Sequence, residues 1–184
     1  MIGTHNSLTS YKPRFKIMNL FKWLWRCQDM SFEEQLEVVE YFDIRVRFDK
    51  SGKLQFCHGL VDLDVPYSLY DILDEINGLG KCRIVLERGN CPDFLKYVTS
   101  LYPFYKDVVD IIVIKKGWNI LYGNPIPCKD YTYIPFYSNR SFWDNLKNLR
   151  ISTIKQWARK HNPNINDNIF MDKIIHFMDY VKID

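Results

Sequence analysis

Short runs of strand character, separated by longer segments of helical period, recur along this chain, and that alternation constrains its fold more than any single motif. Strands joined through a helix pair in parallel, because the helix supplies the crossover that a parallel pair needs. The expected class is therefore α/β. Met1 to Asn6 is a first strand stub, and Arg14 to Cys27 is a segment rich in Phe, Trp and Leu. Ser31-Phe32-Glu33-Glu34 reads as a capping box that opens a helix through Val39. Tyr41 to Arg47 alternates strictly, Asp49-Lys50-Ser51-Gly52 is a turn, and Leu54 to His58 is the next strand. Ser68 caps a helix with Leu69, Ile72, Leu73 and Ile76 on one face, ended by Gly78 and Gly80. A buried strand, Cys82 to Glu87, then a helix, Pro92 to Leu101, and a strand, Val108 to Lys115, follow. Beyond them, strands are expected at Trp118 to Tyr122 and Tyr131 to Phe136, a long helix at Phe142 to His161, and a last strand at Lys173 to Tyr180. About eight strand candidates permit, without requiring, a compact and abbreviated TIM-type (β/α) barrel. No internal repeat or low-complexity linker interrupts residues 1–184, which are expected to form a single domain.

Composition narrows the partners. With 47% hydrophobic and 16% aromatic residues the chain can bury a real core, which disfavours disorder. A net charge of +3 falls far short of the basic excess of a nucleic-acid-binding protein. No apolar run approaches the ~18 residues of a transmembrane segment. The start carries neither the basic nor the apolar region of a signal peptide, so the default location is cytoplasmic, with peripheral membrane contact or export by another route left open. Five cysteines without a C-x-x-C pair indicate neither a zinc site nor a disulfide framework.

In the strand from Phe42 to Arg47, Phe42, Ile44 and Val46 share one face, and Asp43, Arg45 and Arg47 the other. Such a strand is either an edge strand with a solvated charged face, or a covered strand whose Asp-x-Arg lies buried in a site. Histidine is scarce, and His5 and His58 each stand at the C-terminal end of a strand candidate, where α/β barrels place reacting groups. Two imidazoles across such a mouth can serve as general base and general acid, because both protonation states exist near neutral pH. Arg45 adds a guanidinium suited to a phosphate, which makes a phosphodiester site plausible.

Four motifs in order carry a resemblance. Gly3-Thr4-His5-Asn6-Ser7, Cys27-Gln28-Asp29 with Glu34-Gln35-Leu36, Tyr41-Phe42-Asp43-Ile44-Arg45, and His58-Gly59 resemble the catalytic X region of phosphatidylinositol-specific phospholipase C, especially the small bacterial enzymes. A fifth stretch, Ile174 to Tyr180, is similar to the last barrel strand of that family; between about residues 90 and 170 little matches. The resemblance implies that His5 is the base that deprotonates the inositol 2-hydroxyl, with Asp179 orienting it. It implies that Arg45 stabilises the phosphorane, and that His58 is the acid that protonates the departing diacylglycerol oxygen, with Asp43 in the same polar cluster. Asn6, Arg47 and Glu87 are expected to contact the substrate, an inositol phospholipid at a membrane surface. The product would be an inositol 1,2-cyclic phosphate, and a monomer is expected.

Two departures matter. Asn6 stands where the bacterial enzymes usually carry Asp, and His-Asn is the calcium-dependent eukaryotic pattern, in which Asn6, Asp43 and Glu87 would be the calcium ligands. Arg45 occupies a position where those enzymes need an acidic ligand, so action without a metal cofactor is the expectation and calcium the alternative. Trp25 aligns with a membrane-touching Trp of the bacterial family, and Phe15 to Trp25 is either an interfacial helix or an amphipathic helix packed on the domain. Two other functions stay open: a glycerophosphodiesterase-like enzyme, against which Asp43-x-Arg45 in place of Glu-x-Asp argues, and a catalytically reduced module that binds phosphoinositide or membrane.

Overall fold

The alternating segment becomes β2 (Tyr41–Phe48), the centre of the sheet. The structure, a computed structural model, describes residues 2–49, 51–89, 91–116, 119–121, 132–135 and 174–178. The other strands are β1 (Ile2–Thr4), β3 (Leu54–His58), β4 (Val61–Asp62), β5 (Lys81–Gly89), β6 (Val109–Lys116), β7 (Asn119–Leu121), β8 (Thr132–Pro135) and β9 (Ile174–Met178). They run β7-β6-β5-β2-β1-β9-β8, with β3 paired to β2 and β4 to β3. The central pairs β5–β2, β2–β1, β1–β9 and β9–β8 are parallel, as is β5–β6, whereas β2–β3, β3–β4 and β6–β7 are antiparallel. The fold is thus α/β around a mixed sheet. Among the described residues no pairing joins β7 to β8, so the sheet is not closed and the barrel that the strand count permitted is not shown.

Each face of β2 goes where the alternation sends it. Phe42, Ile44 and Val46 are fully buried, together with Cys82, Ile84 and Leu86 of the neighbouring β5. The helix α3 (Leu69–Ile76) contributes Leu69, Ile72, Leu73 and Ile76 to the same core, a spacing of three, one and three that keeps all four on one side. Burial of each contributes about 1.5–3 kcal/mol. The helix α4 (Cys91–Tyr105) adds Phe94, Val98, Leu101 and Tyr105. It outlasts the expected end at Leu101 and takes Pro103 into its last turn, where the missing N–H forfeits only one bond. With helices on the apolar face, the opposite face, which carries Asp43, Arg45 and Arg47, becomes the wall of the site.

Local chemistry sets most boundaries. The expected capping box of Ser31 with Glu34 opens α2 (Phe32–Leu36), and the expected cap Ser68 opens α3, where Asp71 completes a second box. The helix α2 stops at Leu36, three residues before the expected Val39. The segment after Arg14 is not one helix but a 3-10 stretch, Lys16–Phe21, followed by the single-turn α1 (Lys22–Trp25). At the far end of β2 the pairing with β5 shifts between Val46 and Arg47, so that Arg47 faces Arg88 and Phe48 faces Gly89. Glycine is required there: φ is +117°, and a Cβ would lie 1.6 Å from the Phe48 carbonyl oxygen. The long helix expected at Phe142 to His161 lies outside the described residues, as does Asp179.

Candidate active site

The site begins where β1 ends. Asn6 adopts the left-handed conformation, φ 51° and ψ 56°, and is the one non-glycine residue with positive φ among those described. Asn tolerates this region better than most residues, but it still needs support from outside the turn. Support comes from buried hydrogen bonds. Asn6 N donates to Asp43 Oδ2 at 3.1 Å, while Asn6 O accepts from Thr9 N and Thr9 Oγ1. Thr9 Oγ1 in turn accepts from the backbone of Cys27 and of Gln28, both at 3.0 Å. Gln28 Nε2 donates to the His5 carbonyl and Gln35 Nε2 to the Ser7 carbonyl. Asp43 N donates to Ser7 Oγ, which sits 2.7 Å from Thr4 Oγ1. The first three motifs of the sequence are therefore one scaffold: their glutamines and hydroxyls hold the turn that aims His5 and Asn6.

The two histidines meet across this turn, with ring centroids 6.3 Å apart and planes at 82°. Asn6 Nδ2 lies 3.0 Å from His5 Nε2 and 3.1 Å from His58 Nε2. Arg45 Nη2 is 2.7 Å from His5 Nε2; a guanidinium only donates, so that nitrogen carries a lone pair. His58 Nδ1 donates to the Trp25 carbonyl, which fixes the neutral ring with the lone pair on Nε2 as well. Desolvation, followed by the electrostatic influence of the neighbouring Arg45 and His5, lowers the His58 pKa to about 4.

Charges around the pair are clamped. Asp43, fully buried, accepts from Arg45 Nε at 3.0 Å and from Arg83 Nε at 2.7 Å, and lies 3.8 Å from His5 Nε2. Burial raises its pKa, but Arg45 and Arg83 oppose that and hold the carboxyl far below the ordinary range. Arg45 also donates from Nη1 to Glu87 Oε1. Glu87 is the extra residue at the irregularity in β5, which leaves it unopposed by any residue of β2. Arg83 escaped the sequence analysis as a site residue. Its signal was present, because Arg83 and Glu87 fall on one face of β5 by the same alternation that singled out Asp43 and Arg45.

The structure thus brings together His5, Asn6, Asp43, Arg45, His58 and Glu87. It does not add Arg47, whose Nε donates to Asp62 Oδ1 at 2.7 Å, one residue pair further along β2. Of the alternative calcium ligands, Asp43 and Glu87 are joined by the guanidinium of Arg45, and the other Asp43 oxygen accepts from Arg83. Trp25 must be corrected as a membrane contact. It is 4% exposed, its indole N–H donates to the Met18 carbonyl at 2.9 Å, and its own carbonyl orients His58. Exposed apolar surface on that segment belongs instead to Phe15, Ile17, Leu20, Phe21 and Trp23.

Comparison with solved structures gives a consistent set. The phosphatidylinositol-specific phospholipase C of Listeria monocytogenes superposes with a TM-score of 0.66 at 17% identity, covering 99% of this chain and 88% of that one. The likeness is one of fold. The Staphylococcus aureus enzyme, in a structure concerned with its membrane binding, gives a TM-score of 0.60 at 14% identity over 100% of this chain and 86% of that one. A double mutant of the same enzyme gives 0.64 at 15%. No protein-family model and no curated protein matches the sequence.

Proposed function

We propose that this chain is a phospholipase C-like phosphodiesterase that cleaves the glycerol–phosphate bond of an inositol phospholipid by paired histidine catalysis. The observation that carries the reading is the approach of the His5 and His58 Nε2 atoms to one amide, with the Arg45 guanidinium alongside. His5 Nε2 takes the proton of the inositol 2-hydroxyl, whose oxygen forms a bond to phosphorus. The bond from phosphorus to the glycerol oxygen breaks, and His58 delivers a proton to that oxygen, releasing diacylglycerol and an inositol 1,2-cyclic phosphate. Arg45, preorganised by Asp43 and Glu87, turns from His5 to the phosphoryl oxygens and offsets the charge that grows on them. Asp179 is assigned to orienting His5; β9 ends one residue before it, with Met178 paired to Thr4, the neighbour of His5. Asn6 contributes its amide to the same substrate.

His58 is neutral in the empty site, so its acid role requires that the bound phosphodiester anion raise its pKa. The lipid surface would meet the exposed Phe15, Ile17, Leu20, Phe21 and Trp23, interspersed with Lys16 and Lys22. No helix among the described residues is long and apolar enough to cross a membrane. The described site residues all come from one chain, and a monomer is the oligomeric state we propose.

The test is release of inositol phosphate from radiolabelled phosphatidylinositol micelles, with and without a calcium chelator. Release in both conditions is expected. Complete, calcium-reversible inhibition would overturn the metal-free assignment. Micelle binding without release by folded protein would instead support a phosphoinositide-binding module.

A further inference from the structure

Beyond Arg45, the polar face of β2 carries a second cationic group that the proposed chemistry leaves idle. Arg47 and Arg88 are direct partners across β2 and β5. Like charges so placed repel. Both converge on a single carboxylate oxygen, Asp62 Oδ1, at 2.7 Å from Arg47 Nε and 2.9 Å from Arg88 Nη2. Two guanidiniums therefore share one carboxylate oxygen. Among the described residues Arg88 Nε is buried without a hydrogen-bond partner, although the side chain as a whole is 37% exposed. Asp62 is carried by β4, paired with Cys57, the residue before His58. The cluster thus stands beside the strand of the proposed acid and one repeat, about 7 Å, along β2 from Arg45.

We propose that Arg47 and Arg88 form a second anion subsite, which takes a phosphate monoester while Arg45 takes the phosphodiester. Asp62 holds the two forks in place, and an incoming dianion would accept from their remaining N–H groups. This deepens the reading of the site as an inositol phosphodiesterase and rests on it for the substrate: the preferred headgroup would bear an additional phosphate. The same chemistry also fits free phosphate, and the test separates the two.

Isothermal titration calorimetry is done on the full chain with inositol 1,2-cyclic phosphate, with the same compound bearing a further phosphate monoester, and with inorganic phosphate alone. The headgroup source predicts that the added monoester tightens binding on the order of tenfold or more, the scale of one charge-assisted interaction. Arg88→Gln should remove that gain, and Arg88→Lys, which keeps the charge but not the fork, should restore part of it. Inorganic phosphate that binds with the same dependence on Arg88, without any gain for the phosphorylated headgroup, would support free phosphate as the ligand. Affinities indifferent to Arg88 in every arm, with the variants' melting temperatures matching the wild type, would overturn the subsite. Because binding is read directly, a chain that turns over no inositol phosphodiester yet shows these differences would lose the proposed reaction and keep the subsite.

Discussion

Arg45→Ala separates charge placement from charge balance. Arg45 is 13% exposed at its side chain and bonds Asp43 Oδ2, Glu87 Oε1 and His5 Nε2. Its removal takes a cation from two carboxylates that are themselves 0% and 2% exposed. Truncating one partner of such a buried pair costs about 3–5 kcal/mol. The lower end is expected here, because Asp43 keeps Arg83 at 2.7 Å and the Asn6 N–H at 3.1 Å. The rate should fall by about 10²–10³, the scale for loss of one preorganised electrostatic group. A second substitution, Glu87→Gln, removes the charge that Arg45 neutralised and should return about 1–2 kcal/mol of stability, as coupled neighbours do. It should return none of the rate. Urea denaturation measures the first quantity and inositol phosphate release the second. Recovery of turnover in the double variant would refute the assignment, because Arg45 would then matter only as a counter-ion for Glu87.

His5→Ala and His58→Ala should each abolish inositol phosphate release while leaving the circular dichroism spectrum intact; near-wild-type rates in either would remove its role. A folded pKa near 4 against 6.5 for the free side chain means that unfolding takes up a proton on His58 between those values. Stability from this group is therefore full above pH 6.5 and declines as the pH falls toward 4, and melting temperatures of wild type and His58→Gln across that window should converge at the acid end. A parallel offset would sink that account. Asp43 acts in a separate, more acidic window: its depressed pKa contributes stability that is full above the usual carboxylate range and is lost progressively as the pH falls through and below that range. Trp25→Ala should cost about 3–5 kcal/mol of stability, as a buried large-to-small change does, whereas Leu20→Ser should leave the melting temperature nearly unchanged and weaken sedimentation with phospholipid vesicles. Vesicle binding lost with Trp25 and kept without Leu20 would reverse the surface assignment.

Period and caps were legible in the sequence because they depend on nearest neighbours. The alternation from Phe42 to Arg47 foretold which side chains share each face, and the Ser31–Glu34 box and the Ser68 cap marked two helix starts. The ordered motifs also led to His5, Asp43, Arg45 and His58, which the fold does bring together. Alternation tells which face a residue takes but not what stands opposite. Only the pairing of β2 with β5, and its shift after Val46, decided that Arg83 clamps Asp43, that Glu87 reaches Arg45, and that Arg47 meets Arg88 and Asp62 instead of the histidines. Trp25 shows the same limit: an aromatic residue in a short basic segment suits a membrane or a core equally. The fold turned it inward, where its indole bonds Met18 and its carbonyl bonds His58, because burial is settled by residues distant in the chain and not by the segment that carries the side chain.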